Sequence, residues 1–89
     1  MDTLAAGVAA AGEDRWDEAV RHWEQALERD PDSAAAHNNL AVAFERRGAI
    51  DDASREYQAA LRLDPSNPAI NDNYRAFKAR LEAGGRKGP

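Results

Sequence analysis

The sequence predicts an all-α fold, a solenoid of helix–turn–helix units with five antiparallel helices. Three observations predict it. The chain matches itself at an offset of 34 residues, which is the mark of stacked units rather than of one irregular globule. Its apolar residues recur at helical spacing within each unit. Helix-ending signals fall between those stripes, as Gly48 inside a unit and as Asp30-Pro31 and Asp64-Pro65 at the unit boundaries.

The self-match is specific. "ALERDPDSAAAHNN" at residues 26–39 returns as "ALRLDPSNPAINDN" at residues 60–73. Identities fall at Ala9/Ala43, Asp17/Asp51, Ala19/Ala53, Arg21/Arg55, Ala26/Ala60 and Leu27/Leu61, and continue past the prolines to Asn39/Asn73 and Arg46/Arg80. Trp23/Tyr57 and Asn38/Asp72 are conservative pairs in the same register.

The first helix, near residues 3–12, is weakened by Gly7 and Gly12. The second carries Trp16, Ala19, Val20, Trp23, Ala26 and Leu27 on one stripe, with Asp17 and Glu18 at its start, where carboxylates suit the helix dipole. The third has Ala36, Leu40, Ala43 and Phe44, and Gly48 should end it. The fourth begins at Asp51 and Asp52 and presents Ala53, Tyr57, Ala60 and Leu61. The last, over about 67–83, shows a stripe of Ile70, Tyr74, Phe77 and Leu81 and a polar face of Asn71, Asp72, Arg75, Lys78, Arg80 and Glu82, as a closing helix should. Ser33 and Ser66, after the Asp-Pro turns, read as helix caps. The layout is then a single domain over 1–83, with a first repeat at about 1–33, a second at about 34–67, a capping helix at about 68–83 and a disordered tail at 84–89.

Bulk properties bound the function. With 89 residues and no cysteine, there is one small core and neither a disulfide nor a thiolate zinc site. A net charge of −4 argues against neutralising nucleic-acid phosphates. No run is long and apolar enough to span a membrane, and Asp2 stands where a secretion signal would carry a base, so the expectation is a cytoplasmic protein. His22 and His37 lie in different helices at no ligand spacing, no Gly-rich phosphate loop occurs, and neither serine has a base nearby in sequence. No enzyme, metal or cofactor is expected. Trp16, Trp23, Phe44 and Tyr57 fall at helical spacing and in repeat register, so they read as core rather than as a ligand cage.

The pattern resembles the tetratricopeptide repeat. In the second unit His37, Leu40, Ala41, Phe44, Ala53, Tyr57 and Pro65 match its signature, and "RRGAIDDASREYQAALRLDPSNP" is very like its second helix and exit turn. The first unit matches at Gly7, Trp16, Ala19, Trp23, Ala26 and Pro31, but has Thr3, Ala6 and Ala10 where the family has larger groups. The resemblance implies a right-handed superhelix in which Ala19 and Ala53 sit at helix crossings, beside Trp23 and Tyr57. Enlarging either alanine to leucine should overpack the crossing, at about 1–3 kcal/mol.

The resemblance also implies a concave groove, lined by the first helix of each unit, that binds a peptide or a partner's helix. Carried over position by position, that groove is Leu4, Ala5 and Val8, then Asn38, Asn39, Val42, Glu45 and Arg46, then Asp72, Asn73, Ala76 and Arg80. Asn39 and Asn73 should stand side by side, and amides that donate and accept at once can hold a peptide backbone of any sequence. Members that clamp chaperone carboxylates use two Lys, two Asn and an Arg. Here Leu4 and Ala69 replace the lysines, Val8 one asparagine and Asn73 the arginine, which leaves only Asn39 and argues against such a clamp. The expected function is a non-catalytic protein- or peptide-binding module. The alternative is a self-assembly scaffold of stacked repeats, forming a homo-oligomer through apolar surface near Trp16 that a thin first helix leaves uncovered.

Overall fold

The computed structural model describes residues 2–85. They form α1 (Thr3–Gly12), α2 (Trp16–Arg29), α3 (Ala34–Arg47), α4 (Ile50–Leu63) and α5 (Pro68–Gly85), with no strand among the described residues. α1 packs on α2 and α3 on α4, while α2 meets α3 and α4 meets α5 across the unit boundary. The extents are 49 × 28 × 18 Å, and the smallest is near the depth of two packed helices, about 20 Å. This is a layered helical solenoid, as the sequence predicts.

The helices start in two ways. The first helix of each unit has a side-chain cap. Asp2 Oδ1 accepts from the Leu4 and Ala5 amides, Ser33 Oγ from Ala36, and Asn67 Oδ1 from Ala69 and Ile70. Asn67, not Ser66, is therefore the counterpart of Ser33. Pro68 takes the first helical position, where its missing N–H costs nothing, and this leaves the preceding residue to cap. The second helices, α2 and α4, lack such a cap and instead place Asp17 with Glu18, and Asp51 with Asp52, in their first turns.

The turns inside the units both need a left-handed residue. Gly48 supplies it with φ 78° and Asp14, one repeat earlier, with φ 64°. Asp14 also accepts from the Trp16 indole at 2.8 Å. At the unit exits, Asp30 and Asp64 leave helical geometry just before their prolines.

The core is built from alanine and aromatics. Ala19, Ala36, Ala41, Ala43, Ala53 and Ala60 are fully buried, which allows close helix approach. In the first unit Trp23, 3 % exposed, lies directly over Gly7 and donates to the Leu4 carbonyl at 3.1 Å. In the second, Tyr57 packs in one cluster with Ala41, Ala53 and Phe77. A small α1 is thus filled by a larger ring from α2.

α5 closes the stack with Ile70, Tyr74 and Phe77, and the Tyr57 ring lies 5.6 Å from Tyr74 and 5.2 Å from Phe77. Leu81, expected on the same stripe, is 40 % exposed. At 18 residues α5 is about a turn longer than the 14-residue α4, so its last turn overhangs its neighbour. The helix also continues through Gly84 and Gly85, two residues assigned to the tail from sequence, since no left-handed glycine turns the chain out at Gly84. Residues 86–89 of that expected tail lie outside the described residues.

Candidate functional site

The expected groove residues fall on the first helices α1, α3 and α5. α3 and α5 meet along a seam with an offset of 35 residues, one more than the repeat. Asn73 Nδ2 donates to Asn38 Oδ1 at 3.3 Å, and one heptad further along, Arg80 Nε donates to Glu45 Oε2 at 2.6 Å. The amide that Asn73 meets is therefore Asn38, only 9 % exposed, and not Asn39. The extra residue of offset turns Asn73 toward the earlier asparagine. Both amides help hold α5 on α3, whereas Asn39 is half-buried and makes no side-chain hydrogen bond among the described residues.

Val42, Glu45, Arg46 and Arg80 converge on one depression of about 300 Å³. Val42 is half-buried and packs toward the Tyr57 cluster, so it gives the depression an apolar patch. The Arg46 guanidinium lies 4.6 Å from the centre of the Trp16 ring, an arrangement favoured by the ring's negative face. This contact covers the ring that α1 was expected to leave open, and Trp16 itself packs against the first core cluster.

Glu45 is the residue whose importance the sequence understates. Its carboxylate accepts from the Tyr57 hydroxyl at 3.0 Å and pairs with Arg80 on the other side. Burial, then the hydrogen bond and the charge of Glu45, push the Tyr57 hydroxyl well above the usual tyrosine range, and Arg80 opposes this in part. Tyr57 therefore stays a donor, and Glu45 links the core to the surface site.

The other expected residues lie apart. Leu4 is half-buried and gives its carbonyl to Trp23. It lines a second depression of about 280 Å³ with Asp2, Thr3, Ala26, Arg29, Asp30 and Ser33, at the start of α1. Val8 is 55 % exposed on the same helix. Asp72 is exposed and pairs loosely with Arg75 at 3.7 Å, a solvated contact of small energetic consequence. His37, expected to be structural, bridges the Pro31 carbonyl at 3.1 Å and the Glu56 carboxylate at 2.6 Å. One repeat later Asn71 makes the same contact with the Pro65 carbonyl at 2.9 Å, so this position ties the first helix of a unit to the preceding turn. Among the described residues no group of three or more His, Cys, Asp or Glu is placed to hold a metal ion.

A helix pair repeated in register and closed by a single helix defines a repeat solenoid that can present one face to a partner. The sequence profile described as Tetratricopeptide repeat matches residues 4–68, most of the chain, and the protein belongs to that family. Such repeats are generally non-catalytic protein-interaction motifs, and they typically bind protein partners. No curated protein matches the chain. No helix among the described residues is long and apolar enough to cross a membrane.

Proposed function

We propose that this protein is a non-catalytic binding module that holds an extended segment or a helix of a partner protein across α1, α3 and α5. The observation that supports this is the depression of Val42, Glu45, Arg46 and Arg80, four of the positions that the family resemblance implies for the groove. Val8, Val42 and Ala76 recur one repeat apart in the sequence, one on each of the three helices, and would give the partner apolar contacts. Asn39 adds an amide that makes no side-chain hydrogen bond among the described residues and is able to bond a partner's backbone in both directions.

A photo-crosslinking residue at Val8 or Val42, compared with one at exposed Gln58 or Arg62 on α4, tests this in native lysate. The expected result is a partner captured from the groove positions only, and lost in the variant Asn39→Ala with Val42→Asp. Equal capture from α4, or capture that survives that variant, would refute the groove. Asn73 is left intact because it holds α5 on α3.

Assembly by end-to-end stacking is the weaker reading. At positions where α3 offers His37, Ala41 and Phe44 to α4, α5 offers Asn71, Arg75 and Lys78. Lys78 already lies 4.6 Å from the centre of the Tyr74 ring. A second helix pair would have to desolvate these cations.

A further inference from the structure

We infer that the partner segment is acidic: a side-chain carboxylate, next to an apolar residue, seats between Arg46 and Arg80 over Val42. This rests on the groove reading above and names the chemistry it selects.

Charge favours this occupant. The depression holds two guanidinium groups against one carboxylate, a local excess of positive charge in a chain of net charge −4. Arg47 is paired with Asp17 and Arg80 with Glu45, whereas Arg46 has no carboxylate partner among the described residues. At the end of α3 it could simply answer the helix dipole, but its guanidinium lies on Trp16 instead.

Both guanidinium groups are also preorganised. Asp14 holds the Trp16 indole at 2.8 Å, and Trp16 in turn supports the face of Arg46. A stacked guanidinium keeps its edge N–H groups free for a carboxylate. Arg80 is fixed by Glu45, and Glu45 by Tyr57, while Arg80 itself remains 60 % exposed. It commits two of its five donors to Glu45, through Nε and one terminal nitrogen. Both cations therefore have fixed positions and donors to spare.

The shape of the site agrees with its charge. Val42 precedes Arg46 by one turn, so an apolar side chain and a neighbouring carboxylate find their partners together. Asn39 lies two turns before Arg46, about 10 Å along α3, which a stretch of about three extended residues spans. The site is wet at both arginines, which suits a side-chain carboxylate better than a buried chain terminus.

The test uses fluorescence anisotropy with labelled peptides blocked at both ends, bearing Leu-Glu-Glu or Leu-Gln-Gln in a Gly-Ser host. A third peptide carries Leu-Gln-Gln with a free carboxyl end. The expected result is that the Glu peptide binds roughly tenfold tighter than the blocked Gln peptide. That advantage shrinks as salt screens it and vanishes in Arg46→Gln and in Arg80→Gln. Glu45→Gln, which frees Arg80 while keeping an acceptor for Tyr57, should tighten the Glu peptide, an effect that a merely structural Glu45 would not give. Equal binding of the two blocked peptides, with amide NMR shifts still mapping to Val42 and Asn39, would overturn the acidic partner and leave the groove standing. A preference for the free carboxyl end alone would also overturn it. Absence of any shift at Val42, Arg46 and Arg80 with millimolar peptide would overturn both.

Discussion

Replacing Gly7 with alanine should destabilise the protein, although the same change is favourable in most helices. Gly7→Ala gains up to about 1 kcal/mol of helix propensity. The new methyl would sit inside van der Waals contact of Trp23, with the Cδ1 and Cε2 ring atoms only 2.6 and 2.7 Å away. The indole is 3 % exposed, so it has no solvent to move into, and any shift strains its bond to the Leu4 carbonyl. Overpacking costs about 1–3 kcal/mol and a weakened buried hydrogen bond about 1 kcal/mol. The net loss is about 1–3 kcal/mol, at roughly 4–8 °C of melting temperature per kcal/mol for a domain this small. Gly12→Ala is the internal control, because nothing lies within 4 Å of a methyl there and it should stabilise or do nothing. Far-UV circular dichroism melts of both variants decide the matter. If Gly7→Ala raises the midpoint or leaves it unchanged, the indole does not occupy the space assigned to it. Pairing Gly7→Ala with Trp23→Phe should recover part of the loss.

The alkaline limb of stability should depend on Tyr57. Its hydroxyl is held above the usual tyrosine range in the folded state, so its contribution is complete below about pH 10, where an unfolded tyrosine ionises, and declines as pH rises beyond that. Urea titrations should show stability falling by up to about 1.4 kcal/mol per pH unit there, and Tyr57→Phe should flatten that slope while lowering the plateau by loss of the bond to Glu45. The outer face of α5 should govern self-association: Asn71→His, Arg75→Ala and Lys78→Phe together copy the face of α3 that receives α4. Light scattering should then show mass rising with concentration, and an unchanged mass would mean that these polar groups do not protect that end.

Much of this architecture is legible because the repeat compares the chain with itself. Gly48, Asp30-Pro31 and Asp64-Pro65 end helices where they should, and Ala19, Ala53, Trp23 and Tyr57 are buried as their register implies. The same comparison identifies the α5 cap: the residue one period after Ser33 is Asn67, and similarity to the neighbouring Ser66 misleads only if the period is ignored. Asp14 is harder to read. It takes the left-handed conformation of Gly48 but is not glycine, and the nearby Gly12 offers a false signal. The groove is less legible than the core, for a geometric reason. The repeat is 34 residues long, yet α3 and α5 engage at an offset of 35, because side chains meet across the seam diagonally. Sequence alignment therefore pairs Asn39 with Asn73, whereas the helices pair Asn38 with Asn73 and Glu45 with Arg80.

One position, followed through the three first helices, connects packing to function. It is Gly7 in α1, Ala41 in α3 and Arg75 in α5. Gly7 faces the indole of Trp23, and fully buried Ala41 packs with the smaller phenol of Tyr57. The side chain at this position and the ring that covers it thus compensate in size. Arg75 is exposed and fills no such contact, and a charge there opposes the approach of another second helix. Substitution at this position is therefore constrained by the ring above it in the first two helices and by solvent in the third. Arg46 and Arg80, by contrast, are identical one repeat apart although both are exposed and neither contributes to the core. Arg46 lies on the Trp16 ring and Arg80 holds Glu45, so each already has a structural contact, and a shared carboxylate would use the donors that those contacts leave free.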